Sequence, residues 1–378
     1  METIERTRSV IDQSGELETL HTLKDFPVFM GCVDHPRDED LVADQTWDIC
    51  RHTGVIQLKH LIPLEVLYQE QHCSVVGDLW LQHHKAFAAF VNVAAPQTVL
   101  ELGGAHGTLS KLYAELQPTS SWTILEPNPA PAADVKARYI AGFFDSTFQA
   151  DQNYDAVVHS HVFEHMYEPD EFVRALANFR NGGVRHLFAV PNIKSWFGRK
   201  YTNALNFEHT VFITEEYIDY LLGKHGLRVE RKQHYGDEHS IFYDVVRRSN
   251  QSYQDQPPGL YASHKSMFLD YIRYHEELID SINQQMQAEG GDIFLFGAHV
   301  FSQYLLAFGL DTSRIVCILD NNPLKHNYRL YGTDMMVRSP EVLRGLQNPR
   351  VILKAGSHTE EIRRGILGNI NSSTRFLE

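Results

Sequence analysis

The run Val99-Leu100-Glu101-Leu102-Gly103-Gly104-Ala105-His106-Gly107 constrains this chain more than any other stretch. A buried strand feeding a glycine-rich turn and then a helix is the opening of a nucleotide-type α/β fold. Glycine lacks a Cβ, so the backbone there comes close to a ligand. The order is Gly-Gly-x-x-Gly, not Gly-x-Gly-x-x-Gly, and Glu101 stands two residues before the first glycine. A carboxylate in that place repels a pyrophosphate and pairs with a cation, which argues against a dehydrogenase.

The neighbours of the turn sharpen its chemistry. Nineteen residues beyond Gly107 the strand SWTILEPNP ends at Glu126, the position for bonds to ribose hydroxyls. Gly142-Phe143-Phe144-Asp145 follow, able to sandwich and hydrogen-bond an adenine. Together these features fit an adenosine ligand without phosphates and with a positive charge, S-adenosylmethionine. A generic α/β core with incidental glycines is the bland alternative.

The rest of the pattern agrees with a doubly wound core. VVGDLWLQHHKAFAAFVNVAA is spaced as a helix up to Pro96. After it come strand 97–102, helix 109–116, strand 121–126, strand 154–158, helix 169–180 and strand 185–190, then a hairpin in GLRVERKQHYGDEHSIFYDVVRRS. Strands alternating with helices predict a parallel sheet. Residues 249–262, with Pro257-Pro258-Gly259, read as a linker. Beyond it a helix over 264–288 leads to a second strand-glycine-helix unit, DIFLFGAHVFSQYLLAFG, and the strand RIVCILDNNP. The expected division is an irregular N-terminal cap over 1–75, a Rossmann-like core over 76–248 and a smaller Rossmann-like domain over 263–378.

Composition excludes other classes. Lys and Arg total 34 against 48 Asp and Glu, a net charge of −14 that repels nucleic acid. Apolar runs are strand-length, well below the ~20 residues of a membrane span, and METIERTRSVIDQSGE has no signal-peptide core. Four cysteines in a chain this long make no disulfide framework. A cytoplasmic protein acting on a small molecule is expected.

With these motifs in view, residues 95–245 resemble class I S-adenosylmethionine-dependent methyltransferases. Gly182-Gly183 and HLFAVPN look like that family's late glycine pair and fifth strand. The resemblance implies that Glu101, Gly103, Gly104 and Gly107 line the methionine end and that Glu126 and Asn128 meet the ribose side. Phe144 and Asp145 would meet the adenine, with Ser160, His161 and Tyr68 completing the cofactor site. The whole chain is similar to the three-domain sugar C-methyltransferases, which act on nucleotide-linked keto-deoxysugars. Gly297-Ala298, Asp320, Pro323, Lys325, Gly332 and Ser339-Pro340-Glu341 match their C-terminal segment in order.

Carried over residue by residue, that resemblance makes Glu208, His209 and His165 catalytic, with His72 in the place of a cap tyrosine. Asn206 stands where the family has another tyrosine. Histidine titrates near neutral pH, and methyl transfer from a sulfonium needs the nucleophile's proton removed. His161 and His165 are four apart, a spacing that on a helix also suits a metal, although no third ligand is evident. Asp237-Glu238-His239-Ser240 reads as a structural cluster. The family's N-terminal zinc knot falls here on Thr7, Val10 and Cys50-Arg51-His52-Thr53; Cys32, His35, Cys50 and His52 are a rearranged alternative, and no metal is expected. Methylation of oxygen on a phosphate-bearing polysaccharide precursor, and cofactor binding without chemistry, stay open as rival readings.

Overall fold

Val99, Leu100 and Leu102 are buried, as are Ile124, Leu125, Val157 and Val158, the mark of strands covered on both faces. In the computed structural model, which describes residues 2–69, 78–145, 147–179, 183–247, 257–288 and 290–377, they build a seven-stranded sheet. Its order is Leu227–Tyr235, Ser240–Arg247, Arg185–Pro191, Ala156–Ser160, Thr98–Leu102, Ser121–Glu126 and Arg138–Ala141. The last five of these run parallel and the two at the other edge form the antiparallel hairpin. Chain order reverses between Thr98–Leu102 and Ala156–Ser160, and a crevice opens at their carboxyl ends.

Amphipathic helices cover both faces. Phe87, Val91, Leu109, Leu112 and Tyr113, from Asp78–Asn92 and Thr108–Leu116, pack on one side. Phe172, Val173, Leu176, Tyr217, Ile218 and Leu221, from Pro169–Asn178 and Glu215–Lys224, pack on the other. Pro169 opens its helix with Asp170 and Glu171 in the first turn, where a fixed φ and negative charge both suit the helix start.

The N-terminal region is more regular than its sequence reads. Leu17–Pro27, Val42–Cys50 and Ile56–Leu58 form a three-stranded antiparallel sheet. Register shifts at Thr19/His21 and Leu23/Phe26, with Asp25 at φ 47°, break the alternation that would have revealed the first strand. Trp47 from this sheet stacks on Phe212, with ring centres 4.5 Å apart. Strand Arg138–Ala141 is also absent from the sequence reading, being too short to show a period. Strand 154–158 is displaced to Ala156–Ser160.

The C-terminal part is a five-stranded parallel sheet, ordered Val337–Arg338, Ile315–Leu319, Ile293–Phe296, Arg350–Leu353 and Arg375–Leu377. Helix Tyr261–Ala288 buries Phe268, Tyr271, Ile272, His275 and Ile279 at helical spacing and begins three residues before the expected 264. Linker residues 249–256, Gly182 and His72 lie outside the described residues. Among the described residues no helix is long and apolar enough to cross a membrane.

Cap and C-terminal part are stitched together. Cys32–Val33 pairs antiparallel with Arg329–Leu330. The Arg329 guanidinium makes a two-pronged bond to Asp40, 2.7 Å to each oxygen, and Gly332 N–H donates to the same carboxylate at 2.7 Å. Both side chains are buried. The cysteines are spent separately: Cys32 Sγ lies 3.7 Å from the Ala298 carbonyl, Cys50 Sγ 3.3 Å from Ser14 Oγ, and His52 Nδ1 2.6 Å from Asp12. Among the described residues, Cys32, His35, Cys50 and His52 do not gather their ligand atoms within 4.8 Å of one another. Removing one partner of the Arg329–Asp40 pair leaves a buried charge uncompensated. Asp40→Asn is expected to cost about 3–5 kcal/mol, read as a lower urea midpoint; an unchanged midpoint would contradict this.

Candidate active site

The glycine turn is shaped by backbone and by acids. Gly103 and Gly107 adopt φ +68° and +80°, and a Cβ at Gly107 would sit 2.6 Å from Val135 Cγ1. A Cβ at Gly104 would meet the Glu101 carboxyl at 2.8 Å. Glu101 is 4% exposed and accepts a 2.6 Å bond from the Trp122 indole. Burial pushes its carboxyl up to about 8; the Trp122 bond opposes this and the charge of Glu126 adds to it. Glu126 holds the far end of the turn, accepting from Ala105 N–H at 3.0 Å and Asn128 N–H at 3.3 Å. The Asn128 amide donates to the Gln69 carbonyl at 3.0 Å.

The expected adenine residues divide. Phe144 turns into the core against Phe148, Phe172 and Phe179. Phe143 is the ring that faces outward, 39% exposed and 6.1 Å from Tyr68. Asp145 closes its own turn, accepting from Thr147 N–H at 2.7 Å and Phe148 N–H at 3.2 Å.

Across the crevice, Ser160 ends its strand with a buried hydroxyl that has no hydrogen-bond partner. His161 then takes φ 54°, and its Nε2 lies 3.1 Å from Ser240 Oγ. Phe163–His165 is a single 3-10 turn, so His161 and His165 do not share a helix face. His161 joins Trp80, His83 and His239 in an aromatic shell, whereas His165 faces Tyr68 Oη at 3.4 Å and His209, ring centres 5.5 Å apart.

Asn206 explains how His209 is placed. Its side-chain oxygen accepts from Glu208 N–H and His209 N–H, both at 2.8 Å, and so builds the turn carrying them. His209 Nδ1 meets the Ala204 carbonyl at 3.0 Å. Arg6 ties the two histidine segments together, donating to the Thr210 carbonyl at 2.6 Å and to the Tyr167 carbonyl. Burial first, then the surrounding ionisable groups, the carboxyls of Glu208, Glu126 and Glu164 and the phenol of Tyr167, raises the Tyr68 phenol well above its ordinary value. Tyr68 therefore stands among acids from both sides of the crevice.

A cavity of about 1480 Å³ joins all three parts. Glu101, Gly103, Gly104, Ser160, Trp196 and His239 line it from the core, Phe29 and His35 from the cap, and Asp320, Lys325 and His358 from the C-terminal sheet. His165, Glu208 and His209 are not in its lining; His209 lies beside Trp196, ring centres 6.2 Å apart. His239, read from sequence as structural, reaches the wall, while Asp237 pairs with Arg199 at 2.7 Å. Trp80, His84 and Trp196 gave no sequence signal beyond helical spacing. The second glycine turn copies the first: Gly297 has φ +108°, and Asp320 accepts from Ala298 N–H at 2.9 Å.

Two family models match this arrangement: a methyltransferase domain over residues 79–232 and a C-methyltransferase C-terminal domain over residues 260–377. The chain carries a methyltransferase domain. No curated protein matches the chain. Among solved structures, mitomycin 7-O-methyltransferase MmcR is similar at 20% identity and TM-score 0.38, over 46% of this chain and 55% of its own. The 1,6-didemethyltoxoflavin-N1-methyltransferase of Burkholderia thailandensis, solved with S-adenosylhomocysteine, is similar at 13% and 0.36, over 46% and 82%. The CcbJ methyltransferase of Streptomyces caelestis is similar at 13% and 0.37, over 47% and 100%.

The buried Glu101 of this methyltransferase domain has a measurable signature. Its folded-state value lies above its ordinary 4.5, so between 4.5 and about 8 the native state holds a proton the unfolded chain has lost. Stability therefore falls as pH rises through that window. Glu101→Gln is expected to remove this fall, a difference on the order of a few kcal/mol in urea unfolding between the two ends. A wild-type slope kept in the variant would contradict the assignment.

Proposed function

We propose that the chain transfers a methyl group from S-adenosylmethionine to a sugar or nucleotide-linked sugar, with His209 as general base. The carrying observation is that the strand tip at Glu126 and the histidine pair across the switch point both act on Tyr68. The C-terminal match, to a domain of C-methyltransferases, favours carbon as the acceptor atom.

The residues fit the cofactor. The turn at Gly103 and Gly104 leaves room that side chains would fill, and the Ser160 hydroxyl lies buried without a partner in the same wall. Glu126 offers negative charge to the cofactor's cationic groups, and a cation bound beside Glu101 would favour the ionised form of that carboxyl. In this reading Gly107 keeps the turn open, Asn128 and Glu126 face the ribose, and Asp145 faces the adenine. Phe143 takes the stacking role expected of Phe144. Ser160, His161 and Tyr68 close the remaining sides. When bound, the cofactor supplies an electrophilic methyl carbon.

The chain's own task is to orient the acceptor and remove one proton. His209 is prepared for that. With Nδ1–H donating to the Ala204 carbonyl, the lone pair is on Nε2. His165 stands opposite it, and in this reading the cap and C-terminal sheet enclose the acceptor in the shared cavity, which reaches His209 only past Trp196. His72 is not assigned a place.

His209→Ala is expected to slow methyl transfer by about 10²–10⁴-fold. The assay follows label from S-adenosylmethionine to a panel of nucleotide-linked keto-sugars, with NMR of the product locating the new methyl. Affinity for S-adenosylhomocysteine should stay within about threefold, since His209 serves the acceptor. Undiminished turnover in the variant would remove His209 as base.

A further inference from the structure

Glu164 has no role in the reading above, yet it is buried beside the histidine pair. It is 2% exposed, and neither carboxylate oxygen accepts a hydrogen bond. An unpaired charge so placed costs several kcal/mol, so such a group is normally neutralised, paired or bound to a metal. His161 Nδ1 lies 3.3 Å from Oε1 without making a hydrogen bond to it.

We propose that Glu164, His165 and His209 form a binding site for one divalent transition-metal ion of the zinc class. Among the described residues, theirs is the one group of three such side chains whose ligand atoms lie within 4.8 Å of one another. One carboxylate and two imidazoles suit zinc, cobalt or iron in preference to calcium or magnesium. His209 has the support typical of a ligand: Nδ1–H on a backbone carbonyl fixes the ring and directs Nε2 to the ion. Thr210 N–H donates to the Glu164 carbonyl at 3.0 Å, and Arg6 bonds both segments, so backbone holds the donors in place before an ion arrives. A doubly charged ion would also neutralise the acids gathered around Tyr68.

The site goes beyond the methyl-transfer reading and does not depend on it. One consequence does rest on that reading: with Nε2 ligated, His209 cannot accept a proton, so ion binding inhibits transfer.

The test uses the full chain freed of metal with a chelator. Calorimetric titration with zinc is expected to give one ion per chain, and cobalt to give visible d–d bands. Glu164→Gln and His165→Gln should each weaken zinc at least about tenfold, with far-UV circular dichroism unchanged, while His52→Gln binds like the wild type. X-ray absorption at the zinc edge of the wild type, which needs no variant, should report imidazole and carboxylate ligands. Absence of stoichiometric binding, zinc affinity kept in folded Glu164→Gln, or sulfur in the ligand shell would overturn the site. Loss of transfer in His209→Ala together with no zinc binding would leave the base standing and remove the ion alone.

Discussion

The hydrogen bond from Ala105 N–H to the Glu126 carboxylate fixes more of this structure than its size implies. It joins the tip of one parallel strand to the turn leaving its neighbour, and it keeps that turn open instead of letting it coil into the following helix. Asp320 makes the same bond to Ala298 N–H in the C-terminal sheet. Both glycine turns are thus held by an acid at a second strand's end. A bond to an ionised acceptor is worth more than a neutral one, and burial strengthens it further. The cavity between the sheets exists because both turns face it with their backbones exposed.

Charge organises what lies inside. The chain carries −14 overall, and several acids face the crevice. Glu101 is held up by burial near neutrality, while the charges of Glu126, Glu164 and Glu208 all act on Tyr68. Such a centre is electrostatically unfinished. In the proposed reading it favours a cationic occupant over a phosphate.

The parallel core was legible because its strands are buried on both faces and read as continuous apolar runs ending in glycine or acid. Glu101, Gly103, Gly104, Gly107 and Glu126 stood out through fixed spacing. The cap sheet did not, since bulges near His21 and Asp25 erase its alternation. Phe144 was chosen over Phe143 because sequence gives no direction for either ring; packing against Phe172 and Phe179 decides it. Sequence places Glu164 at the sheet edge beside His165, but its closeness to His209 stays hidden there, since the Asn206 turn and Arg6 create it. The aromatic shell of Trp80, His83, His161 and His239 joins three distant segments, which no local pattern can announce.

The central claim is that the two acidic strand tips beside the glycine turn hold a positively charged sulfur cofactor. Isothermal titration of the folded chain with S-adenosylmethionine tests it most directly, with Glu126→Gln as the paired variant. The account predicts a single site per chain and affinity about tenfold weaker in the variant, the loss of one charge-assisted bond. No heat with either S-adenosylmethionine or S-adenosylhomocysteine on well-folded protein, or a site filled by NAD instead, would contradict it.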